Sequence, residues 1–273
     1  MLAALALAAA LAQAPSAAEA PPPVAAPLTV TGRRPGEGGA PTVARFVEKL
    51  ARPKDRLTPR WMQPPCPTVT GLDDEAARLV LDRIVALARE AGAPVRPAAC
   101  GGSLLVVFTD DPKALDAGLR DSPWMRVWDD PAGDYRSEQR RFFASAAPVR
   151  WWRVIVTREN PLVDQPSKLK SPTVAEVVRV VVAVDVREAE RLGLTLGQLA
   201  DYAAMVGLAA PPFDGDYRGA DSILALFDPG GARPHGATAW DVGYLKGLFL
   251  TDPSLLTDQA RGIRAKIAQE PAR

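Results

Sequence analysis

The chain predicts an α+β fold, a mixed β-sheet of four or five strands with helices packed on it and a helical C-terminal end. Three stretches carry that prediction. Ala175 to Leu208 reads as a buried strand, a turn and a capped helix; Leu72 to Ala91 is a long amphipathic helix followed by the apolar run Leu104 to Thr109; and two further helix-start signals, at Thr238 and near Thr257, close the sequence.

At 273 residues the chain is long enough to bury a full core as one domain. A net charge of +1 and a pI near 7.8 give no global attraction to nucleic acid or to an acidic partner. The abundance of Ala, Arg and Pro fits a GC-rich bacterial genome, a codon effect without functional content. Residues 1–20 form an unbroken Ala/Leu segment followed by small residues, the pattern of a signal peptide, with cleavage expected after Ala18. No Lys or Arg precedes the apolar run, so either the true start lies upstream or the signal is atypical. This reading makes the protein periplasmic or secreted, with no transmembrane segment after signal removal. Residues 21–45, with three consecutive prolines and Gly36-Glu37-Gly38-Gly39, read as a disordered Pro/Gly linker, leaving residues 46–273 as a single globular domain. Within the linker, Val30-Thr31-Gly32-Arg33-Arg34 resembles a sequence common just after signals in secreted proteins of some Gram-negative bacteria.

Taken in order, Phe46 to Leu50 suits a short helical turn and Trp61 to Pro67 is irregular. Asp73 or Asp74 caps the first long helix, whose Ala77, Val80, Leu81, Ile84, Leu87, Ala88 and Ala91 make one apolar stripe, and Gly92 ends it. Leu104 to Thr109 is a strand. Asp111 and Pro112 then fit the N-cap and first position of a helix through Leu119. Cys66 and Cys100 flank the long helix, and in an exported chain two cysteines without CxxC spacing pair as a disulfide, worth about 3 kcal/mol. A catalytic Cys is disfavoured, because its partner would be His235, the one histidine, in a Gly-rich loop.

Between Arg136 and Arg158, basic residues interleave with aromatics before a strand at Val154 to Thr157. Alternation in a half-buried strand puts Trp152 and Val154 into the core and Trp151 and Arg153 outside, where they could bind a glycan or an anionic polymer. Ser167-x-x-Lys170 has the spacing of penicillin-binding proteins but runs into Pro172, with no Lys-Thr-Gly partner.

Val177 to Val184 is too continuously apolar for one wet face and belongs centrally in the sheet. Thr195 and Gln198 form a capping box, Leu194 and Leu199 the flanking hydrophobic staple, and Leu199, Tyr202, Ala203 and Val206 one stripe, with Gly207 closing the last turn. The loop carrying Asp214, Asp216 and Asp221 starts like a calcium loop but has Arg218 at a ligand place and Ala225 where a bidentate Glu is needed, so it reads as a solvated acidic loop. Ser222 to Phe227 suits a helical turn, His235 an exposed loop. Thr238 with Asp241 opens a helix through Leu250, and a last helix buries Ala260, Ile263 and Ile267.

The order strand, helix ending in Gly207-Leu208, variable loop, Asp221-Ser-Ile-Leu-Ala-Leu-Phe227 and Thr238-Ala-Trp-Asp-Val-Gly-Tyr-Leu-Lys-Gly-Leu-Phe249 resembles the C-terminal half of zincin-type metallopeptidases, over residues 175–250. The resemblance implies a zincin-like fold with a cleft for a peptide. It places the family's two helical histidines at Ala200 and Ala204 and its general-base Glu at Asp201, so both helical ligands are replaced and no metal site is expected.

No Gly-rich phosphate loop, Gly-x-Ser-x-Gly elbow or Cys/His cluster occurs, and no cofactor is called for. The leading expectation is a non-catalytic, pseudoenzyme-like binding protein for a peptide or protein partner, and not for nucleic acid. One alternative is a cell-envelope polymer binder using Trp151 and Arg153. Another is a metal-independent hydrolase in which Asp201 and either Asp185 or Asp241 converge as acid and base.

Overall fold

The computed structural model describes residues 40–51, 57–96, 100–126, 134–160, 163, 167, 169–213, 215, 217–228, 233–255 and 259–272, all within one compact unit. The expected signal peptide and residues 21–39 of the expected linker lie outside them, as do Asp214 and Asp216. Among the described residues no helix is long and apolar enough to cross a membrane.

Helix α1 spans Ala40–Ala51, so the last residues of the expected linker are helical and the expected turn at 46–50 is part of a longer element. It forms because Phe46, Val47, Leu50 and Ala51 share one face and bury in the main core. Strand β1, Pro67–Thr70, was not legible from its polar composition; it exists through parallel pairing with Leu104–Val107. Helix α2 spans Asp74–Glu90, with the Asp73 carboxylate accepting the Ala76 N–H at 2.8 Å, and leads to β2, Leu104–Thr109. The Cys66–Cys100 disulfide, with Cα atoms 5.9 Å apart, fastens the start of β1 to the approach of β2. Its ends lie 34 residues apart, and the Cys66→Ser/Cys100→Ser double variant is expected to lose about 3 kcal/mol. A urea midpoint unchanged from the oxidised parent would contradict that.

Helix α3, Pro112–Arg120, starts at Asp111 as expected. After a 3-10 turn at Pro123–Met125 come α4, Asp134–Ala144, and β3, Val149–Glu159. Strand β4, Thr173–Asp185, runs directly into α5, Val186–Arg191, and then α6, Leu196–Ala209, with the Thr195/Gln198 capping box in place. Gly207 does not end α6, which continues until Ala210 takes the left-handed conformation at φ 44°. Its role is close approach instead: a Cβ there would lie 2.7 Å from Leu104 Cδ2. A 3-10 turn at Ile223–Ala225 precedes α7, Ala239–Leu250, and α8, Gln259–Gln269, closes the chain.

The sheet is mixed, in the order β1-β2-β4-β3, with β1, β2 and β4 parallel and β3 antiparallel to β4. The β3/β4 register slips at Val154/Ile155, leaving Val178 as the bulged residue of β4. Helices cover both faces. Val106, Val180, Val182 and Trp151 face a large core shared with α1, α2, α6, α7 and α8, while Leu105, Val181, Ala183 and Trp152 face a smaller one closed by Leu119, Met125 and Phe142. Cover on both faces corrects the expectation for β3. From Val149 to Ile155 neither of its faces is wet, so Trp151 and Arg153 are buried, at 4% and 7% exposure. Trp151 Nε1 donates to the Pro211 carbonyl at 2.8 Å and Arg153 Nη1 to that of Ala210.

Candidate functional site

Strand β2 delivers the chain to α3 on the smaller-core side, whereas β4 delivers it to α5 and α6 on the other side. Two adjacent parallel strands whose exits go to opposite faces leave a crevice beyond their carboxyl ends, the usual ligand position in sheets of this kind. A cavity of about 50 Å³ lies there. Its floor is Thr109 and Asp185, which stand opposite one another in register at the ends of β2 and β4. Its wall is the loop from Ser145 to Pro148. That loop is held in place: the Ala147 N–H donates to Ser145 Oγ at 3.0 Å, and the Asp185 N–H to the Pro148 carbonyl at 2.8 Å.

Arg150 also lines the cavity, but its charge is committed behind it. It grips Asp116 at 3.0 and 2.5 Å, donates to the Phe142 carbonyl at 3.3 Å and lies 4.8 Å over the Phe142 ring. Just past the ends of β2 and β4 in the chain, Arg187 and Asp110 pair at 3.5 Å with both side chains exposed. Asp185 is thus the one carboxylate in the lining, and among the described residues no cation pairs with it. Its Oδ1 accepts the Glu188 N–H at 3.1 Å as the N-cap of α5, which fixes the side chain.

The structure does not gather the three candidate catalytic aspartates into this crevice. Asp201 is buried on α6, held side-on by Arg83, whose Nε donates to Oδ1 at 2.8 Å and whose Nη2 donates to Oδ2; Oδ2 also accepts the Ala237 N–H at 2.9 Å. Asp241 is completely buried at the start of α7. Ser222 Oγ donates to its Oδ1 at 2.5 Å, and the N–H groups of Ile223 and Thr238 donate to Oδ2, each at 2.8 Å. Burial pushes the Asp241 carboxyl up to about 6, against the opposing pull of these donors. Asp201 and Asp241 therefore share one task, anchoring the chain at residues 237–238 and the 222–223 turn. A hydrolase built on Asp201 with Asp185 or Asp241 finds no common pocket among the described residues.

Zinc of the metallopeptidase kind does not fit α6 either. Ala200 and Ala204 carry no donor atom and are packed shut at 0% exposure, and Asp201 is spent on Arg83. Among the described residues no group of three His, Cys, Asp or Glu side chains is close enough to hold a metal. His235, the chain's one histidine, is exposed in the loop before α7, as its surroundings in the sequence suggest. Sequence reasoning had named Asp185 but not its setting, because Thr109 and the 145–148 loop reach it only through the sheet order.

The fold and the crevice define a three-layer protein with helices on both faces of a mixed sheet and a small acidic recess at the strand ends. Compared with protein families, curated proteins and solved structures, the chain matches none.

Proposed function

We propose that the protein is a non-catalytic binding domain whose crevice at the ends of β2 and β4 receives a cationic side-chain end from a peptide or protein partner. The carrying observation is the uncompensated Asp185 carboxylate, fixed by its capping bond, in a cavity of about 50 Å³, which is room for an ammonium group and little more. The zincin-like reading of residues 175–250 gives this proposal its scaffold. It is supported by the succession of β4, α6 and α7 and by the capping box at Thr238. A periplasmic or secreted setting suits the apolar segment 1–20 and a disulfide, which persists in oxidising compartments.

The test is an NMR titration of the ¹⁵N-labelled protein with N-acetyl-lysine-methylamide, using the norleucine analogue as the uncharged control. Shifts are expected at Thr109, Ala147 and Asp185 with lysine and not with norleucine. Asp185→Asn keeps the N-cap and removes the charge, and is expected to weaken lysine binding about tenfold or more, the worth of a charge-assisted hydrogen bond. Shifts scattered over the acidic surface, or equal binding by Asp185→Asn, would refute the proposal.

A further inference from the structure

Arg60 lies in the segment 57–61, which runs alongside β4. Its N–H donates to the Ala175 carbonyl at 3.1 Å, and its own carbonyl accepts the Val177 N–H at 2.8 Å. The backbone is thereby pinned to the sheet and the residue is only 3% exposed. Nη1 donates to the Thr251 carbonyl at 2.7 Å, whereas Nε and Nη2, both buried, have no hydrogen-bond partner. Burial lowers the guanidinium to about 10, partly offset by Tyr244 and Asp252, so Arg60 remains a cation at neutral pH. Asp252 does not neutralise it in contact: that carboxylate is 41% exposed and pairs with Lys170 at 3.3 Å. A second buried guanidinium, Arg153, also has an unpartnered Nε, and its nearest carboxylate, Glu138, is 3.6 Å from Nη2.

The idle edge of Arg60 has a known use elsewhere in this chain. Arg83 holds Asp201 through Nε and Nη2, and Arg191 holds Glu188 through the same two nitrogens, at 2.7 and 2.5 Å. Side by side, Nε–H and Nη2–H match the two oxygens of a carboxylate. A buried cation with that edge unpaired is a costly arrangement that a planar anion would satisfy.

We propose that the Nε/Nη2 edge of Arg60 is a binding site for a carboxylate-class anion. The two nitrogens are closed to bulk water, so the anion enters by local opening and is held desolvated. The shared chemistry is a flat two-oxygen anion, supplied either by a small free acid or by the C-terminal carboxylate of a peptide.

The experiment follows thermal unfolding of the whole protein in acetate, in chloride at equal ionic strength, and with a short peptide in free-acid and amide forms. Acetate or the free-acid peptide is expected to raise the midpoint by about 3 °C over its control, by binding only the folded state. Response to acetate identifies a free acid, and response to the free-acid peptide alone identifies a chain terminus. Arg60→Lys keeps the charge without the paired edge and is expected to lose most of the shift; Arg60→Met is expected to lose all of it. Equal midpoints in acetate and chloride together with equal midpoints for the two peptide forms would overturn the proposal, as would an undiminished response in Arg60→Met. If the variants do not fold, the Arg60 Nε–H resonance of the unaltered protein decides: it moves on adding formate if the site exists and stays in place if it does not.

Discussion

Asp241→Ala is expected to destabilise the protein by about 4 kcal/mol, because it strands a buried backbone donor, Ile223 N–H, and a half-buried one, Thr238 N–H, at once, each costing about 1–3 kcal/mol. The Ile223 and Thr238 N–H groups both point at Oδ2 of a carboxylate with 0% exposure. Asp241→Asn is expected to be much milder. Its carbonyl oxygen takes the Oδ2 position and its amide faces Ser222 Oγ, which accepts in place of donating. The pair also separates charge from shape through pH. The folded carboxyl titrates near 6 against an ordinary 3.8, so between those values the folded state holds a proton that the unfolded state has released. Stability from this group is therefore fully present below the lower value and lost as pH rises through the upper one, by about 3 kcal/mol. Urea midpoints measured from pH 4 to pH 7 should fall more steeply in the unaltered protein than in Asp241→Asn. Parallel curves would show that the buried carboxylate is no costlier folded than unfolded.

Trp151→Ala is expected to cost a similar amount, about 4 kcal/mol, as the loss of a buried indole leaves a cavity between the sheet and α6. The indole packs edge-on against Phe213 and Tyr202, with ring centres at 5.0 and 6.2 Å, and its N–H holds the Pro211 carbonyl. Urea denaturation followed by near-ultraviolet circular dichroism checks this. A variant with the parent's midpoint that had merely stopped binding an envelope polymer would restore Trp151 to the surface role that the Arg/Trp pattern first suggested.

That pattern misled for a definite reason. Alternation in β3 was legible, and Trp152 does face the opposite way from Trp151, but assigning one face to solvent required knowing that nothing covers it. The cover over Trp151 and Arg153 comes from α6 and the chain just after it, whose Ala210 and Pro211 carbonyls they hold, while α3 and α4 close the opposite face over Trp152. Elements with strong local signals were read closely: β2 from its apolar run, α2 from Asp73 or Asp74, α6 from its capping box and α7 from Thr238 with Asp241. Strand β1 and helix α5 were missed because a four-residue Pro-Thr-Val-Thr strand and a six-residue helix owe their existence to neighbours. The candidate site was legible only as an isolated carboxylate, Asp185. Arg60 gave no signal at all, since its segment looks irregular and its burial depends on the bridge to Glu176.

The sheet order has a consequence for how the chain acquires its structure. Residues 67–109 can assemble locally, as β1, α2 and β2 are consecutive and a disulfide clasps their open end. The other margin of β2 must wait for β4, since Leu104 pairs with Val180, and β4 in turn is flanked by a strand that precedes it. Until then Leu104-Leu-Val-Val-Phe108, the most adhesive pentapeptide of that unit, has unsatisfied main-chain groups along one side. Such long-range closure is slow, so the interval before β4 arrives is when neighbouring chains compete for that side and a holding chaperone has most to protect.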